Sequence, residues 1–521
     1  MMNLPARHLA CGILALGAWG CAPPLVEGGD PSSGGSNGSG GGFSSSGGAP
    51  SSGSGGTGGP KSSGGASGSG GFVPGGGGST GNGSGGSSNG SGGAPSGNGG
   101  ASVVACTITP TVTMSTKIAT VAIVTWKTTQ PNVKEAHIDF GLTTAYGMTA
   151  PVDLAEKDYR TLLLGMKTSK PYHYRVVSKD DAGRECSGAD GTLMTGALAN
   201  GLAKIKITTM NQSKLAGGFL TLGQYVSNAG VTGAPAYILD ADGEYVWWYA
   251  PGGDVTGARM SHDGKHMWIN SANVPKGTTR VHRVSMDGMT DENLSTEFSG
   301  QNHQITVLPD GTVAFYAYSS GACDDIKERA PDGTVKTIVN AGTAQGASGA
   351  CHINTIQYSR ADDTLVFSDL DHQTVTKVTR DGKMVWVLNS SSSQFKGDTW
   401  KGGQHGVHVL GIDSLLIFNN NSSGMSGGAN NGSIVYEVKL DLTAKTVTLP
   451  WMYKATPGIQ NDIMGDIQRL PNGNTVVGYS TQGVLNEVDA TGSVLQQLSW
   501  PAGATFGYIE KRPTLYGPPV K

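Results

Sequence analysis

Three of the 11 histidines in this 521-residue chain recur at nearly the same phase of a repeating pattern. His303 stands eight residues before Gly311, His405 eight before Asp413, and His352 eleven before Asp363. The equivalent place in the following repeat holds Gly465. Imidazole is a nucleophile, a general acid or base and a metal ligand near neutral pH. Three converging imidazoles could accept a transferred group on a ring nitrogen and handle the protons of that transfer, or could hold zinc. The residue types leave both open. Asn354 lies two residues after His352 and shares its face of an extended strand, whereas His405 and His408, three apart, are expected on opposite faces. His262, His266, His282 and His372 fall in turns or outer strands and read as structural or solvated.

Convergence needs a repeat that brings equivalent strands together. One set of turns comprises Asp240–Gly243, Met286–Gly288, Pro331–Gly333, Arg380–Gly382, Asp441–Ala444 and Asp489–Gly492. A second set alternates with it at His262–Gly264, Pro309–Gly311, Ala361–Asp363, Gly411–Asp413 and Pro471–Gly473. Strand-like runs such as Tyr245–Trp248 and Met384–Val387 follow the first set. Two alternating turn families with little helical periodicity describe four-stranded sheets repeated radially. The fold class is therefore all-β, with a six-bladed β-propeller over residues 205–517 at roughly 50 residues per blade. The histidine phase marks the start of each innermost strand, which lines the central channel. The imidazoles should meet at one mouth.

Residues 101–198 read as a small β-sandwich. Strand-like runs cover Val121–Lys127, Ala136–Phe140 and Tyr172–Ser178, and Trp126 and Tyr174 stand where sandwich cores place aromatics. The run Tyr172–Val176 and the strand spacing resemble a fibronectin type III domain. Such a module could bind a ligand or carbohydrate, but a spacer is the preferred reading. Residues 22–100 are almost all Gly, Ser, Asn, Ala and Pro, too poor in apolar side chains to offset chain entropy, and are expected to be a disordered tether. Before them, Arg7 and the apolar run Leu9–Trp19 form a signal-like segment, 1–21, ending at Cys21. That end resembles a bacterial lipobox, which implies lipidation of Cys21. The expectation is an exported lipoprotein, periplasmic or at the cell surface, most simply on the outer membrane.

Cysteine usage agrees with export. An even set in an exported chain reads as disulfides, so Cys106–Cys186 and Cys323–Cys351 are expected, one pair per folded region. No CxxC or HExxH spacing supports a metal site, and no cofactor is assigned. A net charge of −3 with no basic block argues against nucleic acid as partner. No apolar run reaches the roughly 20 residues of a membrane helix, leaving the lipid anchor as the membrane link. The P-loop pattern GxxxxGK[ST] is absent, so a simple nucleotide-phosphate site is not expected.

From Lys214 to Pro518 the chain resembles the bacterial arylsulfotransferase family. The resembling stretches are Tyr237–Asp240 through Trp247-Trp248-Tyr249, His303–Gly311, His352-Ile353-Asn354, Gln404-His405 leading to Phe418-Asn419-Asn420, and Asp466–Asn474. The resemblance implies an exported propeller that moves a sulfuryl group from an aryl sulfate to a phenol, without a nucleotide sulfate donor. It implies His405 as the nucleophile that becomes transiently sulfated. His303, His352 and Asn354 would bind sulfuryl oxygens or handle protons. The family carries an arginine after its His-x-Asn strand, but here Ser368–Gln373 has none and carries Asp369 and Asp371. Arg259 and Arg469 are the candidate replacements as substrate-binding residues. The competing hypothesis is a non-catalytic surface propeller that binds a small molecule, a glycan or a protein.

Overall fold

The computed structural model describes residues 106–226, 234–272, 279–319, 322–389, 394–400, 403–423 and 428–517. The signal-like segment 1–21 with Cys21, and the expected tether 22–100, lie outside the described residues. Within them the chain is all-β, with a short α-helix at Ala341–Gln345 and three single 3-10 turns.

From residue 206 onward the described strands form six sheets, antiparallel except where Lys396–Gly397 pairs in parallel with Thr446–Tyr453. Their inner strands are Asp254–Met260, Gln301–Val307, Ile353–Ser359, Gln404–Val409, Asp466–Arg469 and Thr505–Arg512. Each inner strand packs on the next, and the last packs on the first, so they close a propeller-like ring around a channel. The two turn families occupy defined places. The first joins the third strand of a sheet to its outermost strand, as at Asp240–Gly243 between Ala236–Leu239 and Tyr245–Tyr249. The second joins the inner strand to its neighbour. It has five members because the sixth sheet takes its inner strand, Thr505–Arg512, from the C-terminal end of the ring and pairs it with Phe219–Val226 near the start. The ring is thus closed by hydrogen bonds between its two ends, which leaves no free edge at the junction. A second tie pairs Lys206–Thr209 with Val494–Ser499.

The core lies between neighbouring sheets. Trp268 and Phe298 pack with Phe315 of the next sheet, with centroids 6.2 and 4.7 Å apart along the chain of rings. Each fully buried aromatic of this kind contributes roughly 1.5–3 kcal/mol. The inner strands are not regular. Register shifts fall between Val255 and Gly257, Gln301 and Ile305, Ile353 and Thr355, and Gln404 and Val407. Bulges of this kind re-aim side chains and are frequent beside functional sites.

Residues 106–198 form two sheets that share one apolar cluster containing Trp126, Phe140, Tyr172 and Tyr174. Cys106 and Cys186 are bonded, with Cα atoms 6.0 Å apart. The region packs directly on the ring. Ile118, Val121 and Leu164 are buried in one cluster with Trp247, Met260, Met286 and Leu515 of the ring. Thr120 Oγ1 donates to Val246 O at 2.7 Å, and Ser115 Oγ to Asp287 O at 2.6 Å. The Tyr516 hydroxyl accepts from Leu164 N at 2.7 Å and donates to Leu162 O at 3.0 Å. Lys167 meets Asp240, Asp242 and Glu244 at 2.7–3.2 Å. An apolar patch closed by buried hydrogen bonds holds the two parts together, beyond what exposed ion pairs alone supply.

Candidate active site at the channel mouth

His303 and His405 lie on inner strands, and His352 immediately precedes a third. The ring places the three imidazoles together: His303 is 5.2 Å from His352 and 6.1 Å from His405, centroid to centroid. Tyr508, on the C-terminal inner strand, stacks on His405 at 5.8 Å.

Each histidine is held through its main chain. His303 adopts φ +49°, in the left-handed region that non-glycine residues occupy at a cost of about 1–3 kcal/mol. Its carbonyl accepts from Asn270 Nδ2 at 2.5 Å and Thr256 Oγ1 at 3.2 Å, and its N–H donates to Asn302 Oδ1 at 2.9 Å. The His352 N–H donates to Asp369 Oδ1 at 3.0 Å. The preceding residue, Cys351, is bonded to Cys323, with Cα atoms 4.5 Å apart. These two cysteines also cluster with Asp369, but their sulfurs are committed to each other and are not metal ligands. The His405 carbonyl accepts from Thr355 Oγ1 at 2.6 Å. Asn354 is fully buried; one of its side-chain amide N–H groups donates to Gln404 O at 3.1 Å, and its main-chain carbonyl accepts from the Tyr508 hydroxyl. Asn354 therefore ties the His352 strand to the residue before His405.

The ring atoms are different. His405 Nδ1 and Nε2, His303 Nδ1, Asn354 Oδ1 and Gln304 Nε2 are buried without a hydrogen-bond partner. Buried polar atoms are rarely orphaned, and several together mark a place for a ligand. Gly465, at the equivalent place of the next inner strand, packs closely against Phe418. It has φ +105°, and a Cβ there would meet the Phe418 ring at 2.2 Å. A histidine could not occupy this fourth equivalent place.

Burial decides the charge state. It pushes His405 down to about 3, reinforced by His352, while the Gly465 main chain opposes it weakly without reaching good hydrogen-bond geometry. Burial also holds His303 well below the usual range, with smaller contributions from His352 and His405. His352 is lowered by burial too, but Asp371 and Asp369 oppose that shift. At neutral pH the site thus offers a neutral nucleophile, His405, beside His352, whose lowering by burial is offset in part by Asp371 and Asp369.

The arginines stand elsewhere. Arg259 lies farther along the channel, donating to Ile509 O at 2.6 Å and lying 3.7 Å from Asp466. Arg469 pairs with Glu437 at 2.8 Å and covers the Trp451 ring at 4.8 Å. Neither contacts the trio. Asn420 of the run Phe418-Asn419-Asn420 donates to Asn461 O and Met464 O at 2.5 and 2.9 Å, clamping the loop that leads to Gly465.

Two sequence expectations are corrected. His408 does not face away from the channel: the bulge between Gln404 and Val407 breaks the two-residue alternation, and His408 lines a cavity of ≈ 120 Å³ in the channel. His262 also lines that cavity, bonded to Val307 O at 3.2 Å and to Arg360 at 3.0 Å. His282 and His372 are outside it and pair with Asp291 and Asp369, both at 2.7 Å.

Residues 334–506 match the arylsulfotransferase (ASST) family model. The match spans about a third of the chain and includes His352, Asn354 and His405, while His303 precedes it. No curated protein matches the chain. Solved structures of similar course include a protein of unknown function from Bacteroides caccae, with 15% identity over 56% of this chain and 98% of that one, TM-score 0.38. TolB from Acinetobacter baumannii has 12% identity over 67% and 80%, TM-score 0.38. The Swd1 β-propeller domain from Myceliophteria thermophila has 10% identity over 58% and 92%, TM-score 0.37. None of these likenesses bears on function.

Sequence reasoning missed Tyr508, Asp369 and Asp466. Tyr508 was hidden because the sixth inner strand has no following turn to mark its phase. Asp369 was visible only as a departure from the family arginine.

Proposed function

We propose that the chain is a sulfotransferase of the aryl sulfate type, built on a six-bladed β-propeller with a docked fibronectin type III-like domain. The single observation that carries this reading is His405: a buried, neutral imidazole with both ring nitrogens unpartnered, facing His303 and His352 at the mouth of the ring. The family match over 334–506 supports a sulfotransferase-like activity.

A neutral His405 nitrogen attacks the sulfur of an aryl sulfate and expels the aryl oxide, leaving a sulfo-histidine. His303 faces the forming charge as a neutral N–H donor. His352, beside Asp369 and Asp371, removes the proton of the acceptor phenol in the second step. Preorganised donors aimed at developing charge are worth roughly 3–4 kcal/mol each. The Asn354 amide fixes the two strands and keeps one N–H for a sulfuryl oxygen. No group described at the mouth replaces the family arginine, so donor binding rests on neutral donors and should be weak. The two disulfides support a place outside the cytoplasm, and the signal-like segment with Cys21 supports lipid anchoring. Turnover of a chromogenic aryl sulfate with a phenol acceptor tests the function. Ping-pong kinetics are expected, and absence of turnover across a panel of donors and acceptors would contradict it.

A further inference from the structure

Asp371 stands at the channel mouth with an unpaired carboxylate. His352 leads into the inner strand Ile353–Ser359, and the antiparallel partner Thr364–Asp369 returns to the same end, where Asp369 pairs with Ile353. The turn 370–373 that follows therefore lies beside His352. Three hydrogen bonds fasten it there. Leu370 N donates to His352 O at 3.0 Å, and the main-chain N–H groups of His352 and Asp371 donate to one oxygen, Asp369 Oδ1, at 3.0 and 3.1 Å. Asp371 is exposed, and among the described residues its side chain meets no cation or donor. Its neighbour His372 is committed through Nδ1 to Asp369 Oδ2 at 2.7 Å. Burial lowers His352, and of the charges that oppose this lowering Asp371 is the strongest, ahead of Asp369.

We propose that Asp371 selects the acceptor, and that the acceptor is a phenol bearing a protonated amine: its ammonium group pairs with Asp371 at the rim while its hydroxyl enters among the three imidazoles. This rests on the sulfotransfer reading above and adds to it the class of substrate.

The two ends of the site differ in kind. Inside, His405 Nδ1 and Nε2 and His303 Nδ1 are buried without partners and suit a polar hydroxyl. His352, with its ring 5.2 Å from that of His303, joins this interior to the turn that carries Asp371. The imbalance of charge grows in the second step. A sulfo group on His405 is an anion, so the acceptor enters a mouth that holds that anion and Asp371 together. Both attract a cationic phenol and repel an anionic one. Arg259 and Arg469 do not offset this, being committed to Ile509 O and to Glu437. The amine stays protonated throughout. The sulfuryl group goes to the phenolic oxygen, the N–S pair stays on the His405 ring, and the phenolic proton passes to His352, so no bond changes at the ammonium.

The expected effect is modest, because Asp371 is exposed. An ion pair at a solvated rim changes binding by up to about fivefold. Salt screens it, since the Debye length falls from about 30 Å at 0.01 M to about 8 Å at 0.15 M. The same carboxylate opposes the aryl sulfate donor, itself an anion, which accords with the weak donor binding expected at this mouth.

The test measures acceptor kcat/KM at low salt, with the full chain and one aryl sulfate donor, for three matched phenols: tyramine, which is cationic, tyrosol, which is neutral, and para-hydroxyphenylacetate, which is anionic. The wild type should favour tyramine over tyrosol by about fivefold and tyrosol over the acid in turn, with both ratios shrinking as salt rises. Asp371→Asn should bring both ratios close to one, and Asp371→Lys should invert them. All three phenols give their proton to the same base, so any effect of Asp371 on His352 cancels in the ratios, and a purely positioning role would leave them unchanged. Equal rates for the three phenols in the wild type, or ratios unaltered in Asp371→Asn, overturn the proposal. If the variants do not fold, the salt dependence of the wild-type ratios decides, and ratios indifferent to salt overturn it. Failure of the wild type to form any sulfo-enzyme from the donor would instead overturn the sulfotransfer reading itself.

Discussion

Asp369 Oδ1 accepts the backbone N–H of His352 at 3.0 Å. The same carboxylate accepts from Asp371 N at 3.1 Å, from Gln345 Nε2 at 2.6 Å and from His372 Nδ1 at 2.7 Å. A fully buried carboxylate with four donors is a rigid post, and His352 is mounted on it. The segment where the resemblance anticipates an arginine is thus occupied by a group that positions an imidazole.

Replacing that post should therefore act on rate and stability together. Asp369→Asn keeps the shape but turns one of the two acceptor oxygens into an NH2 group that faces donors. We expect a loss of about 1–3 kcal/mol from unfolding measurements. We expect kcat to fall 10- to 100-fold with little change in donor KM. A change in KM alone would mean that Asp369 serves binding and not the placement of His352.

Gly465 is a second structural requirement. Gly465→Ala forces a side chain into a left-handed backbone and against Phe418. Strain of about 1–3 kcal/mol should appear as a lower Tm. His405 should be displaced, with activity lost in proportion. An unchanged melting curve would show that the Phe418 ring moves aside freely.

The docking of region 106–198 on the ring predicts cooperative unfolding. Leu164→Ala, which opens a cavity in the cluster shared with Trp247 and Met286, should cost about 2–5 kcal/mol. Because the cluster spans both parts, calorimetry should show one transition, lowered as a whole. Two separated transitions, only one of them shifted, would mean that the interface carries little energy.

The charge state of His405 fixes a pH dependence. Its folded pKa lies at about 3, below the unfolded value near 6.5, so the ring is neutral across the working range. The first half-reaction should be flat in its dependence on His405 from about pH 5 to 8 and should fail only as pH falls toward 3. The same shift makes the folded state bind fewer protons than the unfolded one below pH 6.5. This contribution to stability is present above that pH and is lost progressively as pH falls toward 3. A rapid-quench profile of enzyme sulfation with an inflection near 6.5 would contradict a buried, neutral His405.

Much of the fold was legible because turns advertise themselves. Gly243, Gly288, Gly333 and Gly382 sit in tight hairpins with positive φ, and their spacing exposed the repeat. The phase of His303, His352 and His405 then followed from counting back from the next turn. The face of His408 did not follow, because a bulge changes the alternation without changing composition. Tyr508 was silent because its strand ends the ring and no turn follows it. The docking of region 106–198 was equally silent, since no pattern in the sequence sets Ile118, Val121 and Leu164 apart as contacts to the ring. Contacts between distant segments leave no local period to detect.

The central claim concerns one atom pair, a ring nitrogen of His405 and a sulfur. Incubation with an aryl sulfate and no acceptor, followed by rapid proteolysis at neutral or alkaline pH and mass spectrometry, tests it most directly. The account predicts one sulfo group on His405, absent from His405→Ala and discharged on addition of a phenol. A sulfo group on another residue, or full turnover by His405→Ala, would contradict it.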